Sequence, residues 1–318
     1  MKKILLNLLK ITNNFKYNLK LLNEKKRGTF NIITDKKSCY IQYVTGSLPQ
    51  KAQEGLNIYL PTEKGYIKYE FLHINRTGYN ADNWHIYQAY AINEKFSNQI
   101  QLTTLGEWEC ALFLKGRKDF VGGWGHGNEI VENLSILIDN KRVELTSLKN
   151  MTKAKEICIF ETTTLYDNKD NYQKTTPIAT HGKKYTFNLN DLLIEQSIEW
   201  KISDTAQESY LCMFPPLKTT TNKYYTNAEI VEADIPSNPN IEYNNVNKVV
   251  VYSDDIGFRA TIETIKYPEF ANNKFSLRDN NGGDYNKVYI SAVSNSNPVT
   301  FKVGDRWSSK TKYKLEMR

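Results

Sequence analysis

A chain of 318 residues with 40% hydrophobic and 24% charged side chains holds enough apolar material for a large core, which excludes a small stapled domain and a disordered chain. Its formal charge of +7 points to nucleic acid until it is located: residues 1–27 carry eight Lys or Arg against Glu24 alone, so residues 28–318 are neutral overall. A neutral body has no general phosphate-tracking field, and nucleic-acid binding is not expected.

The first element reads as a helix. Leu5, Leu8, Thr12, Phe15, Leu19 and Leu22 follow spacings of three and four, an apolar seam with a basic back. The opening residues imitate a signal peptide, but Asn7 and Lys10 break the apolar stretch and no small-residue cleavage site follows, so neither a signal peptide nor a membrane span is expected. Residues 1–28 are expected to form an arm that joins copies of the chain or docks to a larger assembly; a helix folded onto its own body is the alternative.

From residue 30 the period changes to two. Ile67, Tyr69, Phe71 and His73 share a face; so do Trp84, Ile86, Tyr90 and Ile92, then Trp108, Cys110, Leu112 and Leu114, then Ile194, Ile198, Trp200 and Ile202, and at the end Tyr313, Leu315 and Met317. Further strands are expected at 134–138, 156–163, 183–189, 209–214, 224–232, 247–253, 257–265, 286–292 and 299–303. With a surplus of 21 Tyr and no long internal helix pattern, this predicts an all-β protein: a large two-sheet antiparallel sandwich of the jelly-roll or concanavalin-like kind over residues 29–318, with about fifteen strands. A subdivision near 236–240, at Pro236-Ser237-Asn238-Pro239-Asn240, is the alternative. Cys39, Cys110, Cys158 and Cys212 lie far apart in strand-like runs and read as buried free thiols, which argues against a cysteine-built zinc site and for folding in a reducing compartment.

The densest chemistry lies at Asp119-Phe120-Val121-Gly122-Gly123-Trp124-Gly125-His126-Gly127-Asn128-Glu129. No Gly-Lys-Ser/Thr follows, so this is not a phosphate loop. His126 and Glu129 near Trp124, with Asp119 just upstream, could bind a sugar or a metal or transfer a proton, Asn128 being a further sugar contact; a tight turn whose His126 and Asn128 satisfy backbone groups is the plainer reading. His181 stands at a strand mouth ahead of Tyr185, whereas His73 alternates with core residues and His85 shares a face with Tyr87 that reads as exposed. Gln88 and Gln196 interrupt apolar faces, and buried amides must be hydrogen-bonded, so they pair inside the core or line a polar groove. Arg76, Tyr79 and Arg259 would add an anionic-sugar clamp, since sugars offer apolar faces to aromatic rings and hydroxyls to Gln, Asn, Glu and Arg. Were the protein an enzyme, His126, His181 and Tyr185 would supply the acid and base of a lyase. Glu107, Glu109, Asp119 and Glu129 are carboxylates for a glycosidase, but no spacing selects a pair. No cofactor and no metal is expected.

The strand Glu107-Trp108-Glu109 leading into Gly122-Gly123-Trp124-Gly125-His126-Gly127-Asn128-Glu129, then a strand ending Ile138-Asp139, resembles segments of bacteriophage tail and baseplate proteins. The strand from Tyr185 to Trp200 and the closing strands resemble jelly-roll polysaccharide lyases, although the diagnostic strings of those enzymes are absent. The first resemblance implies a receptor-binding role in a virion tail, made in the host cytoplasm, with host surface polysaccharide and other tail proteins as partners. Sugar binding by an oligomer ranks first, a polysaccharide lyase or other depolymerase acting on an acidic glycan second, and a purely structural virion component third.

Overall fold

The computed structural model describes residues 18–26, 28–30, 33, 35–46, 48–49, 52–104, 106, 108, 110–169, 176–189, 191–228 and 232–318. In chain order the strands are β1 (Cys39–Thr45), β2 (Glu54–Thr62), β3 (Gly65–Arg76), β4 (Ala81–Asn93), β5 (Gln99–Gln101), β6 (Ala111–Leu114), β7 (Glu129–Ile138), β8 (Lys141–Val143), β9 (Thr152–Ala154), β10 (Ile157–Tyr166) and β11 (Pro177–Phe187). They continue with β12 (Leu192–Trp200), β13 (Asp204–Phe214), β14 (Lys223–Thr226), β15 (Ala233–Asp234), β16 (Asn240–Tyr243), β17 (Lys248–Ser253), β18 (Phe258–Lys266), β19 (Lys274–Asp279), β20 (Asn286–Val293), β21 (Val299–Phe301) and β22 (Arg306–Met317).

These strands form a two-sheet sandwich, as the alternation predicts. Among the described residues the larger sheet has sixteen strands, with a central order β22-β12-β11-β10-β7-β4-β3-β2-β1; the smaller has six, ordered β16-β19-β20-β13-β21 with β6 also on β13. Pairing among the described residues is antiparallel except at one place, where β4 and β7 run parallel for two residue pairs, Ala81 with Glu129 and Asp82 with Ile130, and then part. Strands that follow residues 236–240 enter both sheets. No helix among the described residues is long and apolar enough to cross a membrane.

The inner face of the larger sheet carries its side chains in register. On β12, Leu192, Ile194, Gln196, Ile198 and Trp200 point inward, and on β22 Trp307, Ser309, Thr311, Tyr313 and Leu315 do the same. The main core joins Leu56, Phe71, Trp84, Phe187 and Tyr313 to Phe214, Phe275 and Ile290 of the smaller sheet. A second cluster gathers round Trp200, which stacks on Phe301 at 3.7 Å and meets Trp307 edge-on. Each such side chain contributes about 1.5–3 kcal/mol on burial. Between the two clusters the same inward positions become polar: Glu161 and Thr163 on β10, His181 and Lys183 on β11, Gln196 on β12.

Several expectations need correction. Trp84, Ile86, Tyr90 and Ile92 do not share a face. The β3–β4 register slips between Glu70 and Phe71, with Tyr87 the extra residue on β4, so the strand's parity inverts there. Trp84 and Ile86 enter the main core before the bulge, Ala89 and Ala91 after it, and Ile92 packs on the other side with Tyr59 and Tyr66. Trp108 and Cys110 are buried but precede the strand that begins at Ala111. His85 is not exposed but 2% accessible. His73 is not a core histidine: it is half-buried between the carboxylates of Glu54 and Asp82.

The four cysteines are buried and unbridged, and burial pushes the Cys39 and Cys212 thiols up to about 12. Residues 18–26 are helical and lie on the body: Leu21 is buried with Phe30, Tyr40, Tyr59 and Tyr66, while Leu19 and Leu22 of the proposed seam are exposed. Leu5, Leu8, Thr12 and Phe15 fall outside the described residues.

Candidate functional site

The glycine-rich segment is a knot of close backbone approaches, entered through a two-way backbone pairing of Val121 with Leu112. Gly122 (φ 107°) leaves that pairing with its Cα so near Cys110 that a Cβ would lie 2.5 Å from the Cys110 carbonyl oxygen. Gly127 (φ 77°) lies against Tyr79, where a Cβ would come within 1.9 Å of the carbonyl oxygen. No other residue type fits these two positions. Between them Gly123–His126 makes one helical turn, closed by the Gly127 N–H on the Gly123 carbonyl.

Asn128 follows in the left-handed region (φ 56°) and is fully buried. Its N–H donates to the Tyr79 carbonyl at 2.9 Å, its carbonyl accepts from Tyr166 at 2.8 Å, and its side-chain oxygen accepts from Asn80 at 3.0 Å. The plainer reading holds for this residue: it satisfies backbone and neighbouring amide groups rather than facing solvent.

Glu129 anchors the turn from beneath. One carboxylate oxygen accepts the Gly123 N–H; the other accepts from Thr163 Oγ1 at 2.6 Å and His181 Nδ1 at 3.0 Å and pairs with Lys183 Nζ at 3.0 Å. Lys183 also pairs with Glu161 at 2.7 Å, and Glu161 in turn accepts the Trp84 N–H at 2.8 Å, close to where β4 and β7 part. His181 Nε2 faces Gln196 Oε1 at 3.1 Å, and the Gln196 amide donates to the Leu211 carbonyl at 2.7 Å. The polar belt is thus a buried chain of four, His181 to Glu129 to Lys183 to Glu161, secured by Thr163 and Gln196.

Burial pushes the Glu129 carboxyl up, but Lys183 and the His181 hydrogen bond outweigh it and hold the group well below the usual carboxylate range. Burial also works against the Lys183 charge, and Glu129 and Glu161 overcome it, so the ammonium stays well above its ordinary value. Glu161 goes the other way: desolvation raises it, Lys183 opposes the rise and Glu129 adds to it.

Above the quartet four planar groups stack from solvent inward. The Arg76 guanidinium lies 3.8 Å from the centroid of the exposed Tyr79 ring and 4.8 Å from Trp124, and donates to the Trp124 carbonyl at 3.0 Å. Trp124 lies parallel to the buried His85 ring with 5.7 Å between centroids.

On the other side of the turn the solvent face of the smaller sheet carries a strip of rings. Phe120 meets Phe113 at 5.1 Å, His126 at 5.0 Å and Tyr210 at 5.7 Å, and Tyr210 meets Tyr289 at 4.9 Å. Four of the five are half-buried, and Tyr289 is 6% accessible. Polar groups rim the strip: Asp119 lies 3.5 Å from His126 Nδ1, the Tyr210 hydroxyl donates to Glu208 at 2.5 Å, and Asn295 donates to the same carboxylate.

Of the residues singled out from sequence, Arg76, Tyr79, Trp124, His126, Asn128, Glu129, His181 and Gln196 belong to one connected region. Two do not join it. Tyr185 lies in the main core, 3% accessible and edge-on to Phe71, and Gln88 accepts from the Tyr90 hydroxyl on the opposite face of β4. His181 is 0% accessible, so the triad His126, His181 and Tyr185 is not presented together to a polymer. Glu107 and Glu109 lie outside the described residues. Sequence reasoning missed Glu161 and Lys183, which break the apolar alternation of β10 and β11 at cross-strand positions, and the strip residues Phe113, Tyr210 and Tyr289.

No family model matches the chain, and no curated protein matches it in sequence. Among solved structures, the fold is similar to a protein assigned as an aldose 1-epimerase from Escherichia coli K12, with 9% identity over 82% of this chain and 99% of that one and a TM-score of 0.44. It is similar also to the GH36 α-galactosidase AgaB of Geobacillus stearothermophilus (8% identity, 86% of this chain, 41% of that one, TM-score 0.48). The α-galactosidase of Lactobacillus brevis gives 6% identity, 83% and 40% coverage and a TM-score of 0.48. The chain spans about two fifths of the length of these two galactosidases.

Proposed function

We propose that the protein binds carbohydrate, with the glycan lying along the ring strip Phe113, Phe120, His126, Tyr210 and Tyr289 beside the glycine-rich turn. The observation that supports this is the strip itself: the half-buried rings of Phe113 and Tyr210 on the smaller sheet and of Phe120 and His126 beside it lie in contact, over the buried Tyr289, with part of each left to water. Sugar C–H faces cover such rings, and Asp119, Glu208 and Asn295 at the rim meet hydroxyls. Arg76 and Tyr79 stand on the far side of the turn, against Trp124. The quartet under Glu129 holds the turn, and with it His126, in place.

That the glycan is a host surface polysaccharide and the protein part of a phage tail is the finer proposal, and it rests on the sequence resemblance alone. Phe120→Ala and Tyr210→Ala are each expected to weaken retention on immobilised polysaccharide by about tenfold, the size of one lost stacking partner with its buried area. Wild-type retention by both folded variants would overturn the assignment. A rise in absorbance from unsaturated products would instead revive the depolymerase.

A further inference from the structure

Sugar binding leaves the lysine of the polar belt with no use beyond charge balance. Lys183 on β11 and Glu161 on β10 are cross-strand partners, and both side chains point inward between the two apolar clusters. The Lys183 side chain is 6% accessible, that of Glu129 1% and that of Glu161 0%. Lys183 Nζ stands 2.7 Å from Glu161 Oε2 and 3.0 Å from Glu129 Oε1. The shorter contact lies outside the angles of a hydrogen bond, and among the described residues Glu161 Oε2 accepts none. Lys68, which is also buried beside a carboxylate, differs. It donates to Glu70 at 2.8 Å in ordinary hydrogen-bond geometry, and among the described residues no second acid pairs with it.

Each acid round the Lys183 amine is held in place. Glu161 Oε1 accepts the Trp84 N–H at 2.8 Å. Glu129 takes the Gly123 N–H on one oxygen, and Thr163 Oγ1 at 2.6 Å and His181 Nδ1 at 3.0 Å on the other. An amine, a carboxyl group and a second carboxylate thus stand fixed together away from water. The Trp84 N–H meets the oxygen on which negative charge would grow if the amine attacked the Glu161 carboxyl, as a donor to an oxyanion does. Groups held in this way react as parts of one molecule, at an effective concentration far above any reached in solution.

We propose that Lys183 and Glu161 condense to an isopeptide bond, with Glu129 as the proton carrier. One proton first passes from the ammonium to Glu161 Oε2, which leaves an amine, a carboxylic acid and ionised Glu129 and does not change the net charge of the three. Nζ then attacks Cδ of Glu161. Glu129 takes a proton from the nitrogen and gives it to the departing hydroxyl; the Nζ–Cδ bond forms, the Cδ–Oε2 bond breaks, and one water leaves. Burial raises the Glu161 carboxyl and so favours its protonated form. Lys183 rests as the ammonium, so the reactive pair is a minor form and the bond forms slowly, after folding. The ion-paired belt is the state that precedes it. The bond joins β10 to β11 between the two apolar clusters and does not depend on sugar binding.

The test is the intact mass of the full chain, measured under denaturing conditions on samples held folded at neutral pH for increasing times. Wild type is expected to lose the mass of one water, about 18 Da, and a digest should give one branched peptide that joins Glu161 to Lys183. Lys183→Arg keeps the charge but cannot form the amide, and should hold the full sequence mass. Glu129→Gln keeps both reacting groups but removes the proton carrier, and should slow the loss on the order of a hundredfold. A wild-type mass that stays at the sequence value, a loss that persists in Lys183→Arg, or a branched peptide at any other pair of residues would each overturn the proposal. Loss at the wild-type rate in folded Glu129→Gln would overturn the role given to Glu129.

Discussion

His85 shows at the scale of one residue what burial does to a titratable ring. It lies under Trp124, and burial, with Lys183 adding to it, holds its pKa down to about 3 against an ordinary value of 6.5. The folded state therefore refuses a proton that the unfolded chain accepts below pH 6.5. Stability from this site is complete above that value and is lost as pH falls toward 3. The expected loss is about 2 kcal/mol between pH 7 and pH 5. His85→Phe should flatten that part of the profile in urea unfolding; an equal slope in both proteins would show the ring to be solvated. From sequence the ring read as exposed because its strand alternates. What hides it is the parallel ring of Trp124, brought across by the glycine turn, and no local pattern carries that information. His73 fails in the opposite sense: alternation placed it with Phe71 correctly, but not between two acids that reach it from β2 and β4.

At the scale of elements, the cross-strand pair Glu161 and Lys183 ties β10 to β11 inside a belt that separates two apolar clusters. Lys183→Met leaves Glu129 and Glu161 buried with one cation fewer and is expected to cost about 3–5 kcal/mol in chemical denaturation. Adding Glu161→Gln should recover about 1–3 kcal/mol, because the amide keeps an acceptor for the Trp84 N–H while shedding the charge. No recovery in the double variant would mean that the cost comes from packing and not from the stranded carboxylate. This belt was half legible. Gln196 stood out among Ile194, Ile198 and Trp200, and its amide does pair in the core, with His181 and Leu211. The bulge at Tyr87 was not legible, since an extra residue in β4 shows only against the register of β3.

For the whole molecule, period-two alternation gave the sandwich and most of its strands, because one buried face per strand is a local property. Sheet order is not local: the β4–β7 junction that positions both the turn and the belt joins segments that no turn connects. The arm poses the same problem between molecules. Its described part, residues 18–26, turns Leu21 into a pocket of Phe30, Tyr40, Tyr59 and Tyr66 while Leu19 and Leu22 stay 49% and 37% accessible. The helix thus sets Leu21 on the body and leaves Leu19 and Leu22 turned outward; if copies join through them, as the sequence leads us to propose, avidity rises without new contacts. The two faces can be tested apart. Leu21→Ala is expected to cost about 2–5 kcal/mol through the cavity it leaves, with no change in sedimenting mass. Leu19→Asp with Leu22→Asp is expected to leave the melting temperature of the body nearly unchanged and to lower the mass measured by sedimentation. If wild type and the double variant sediment alike, the outward leucines join nothing and the helix serves only its own fold.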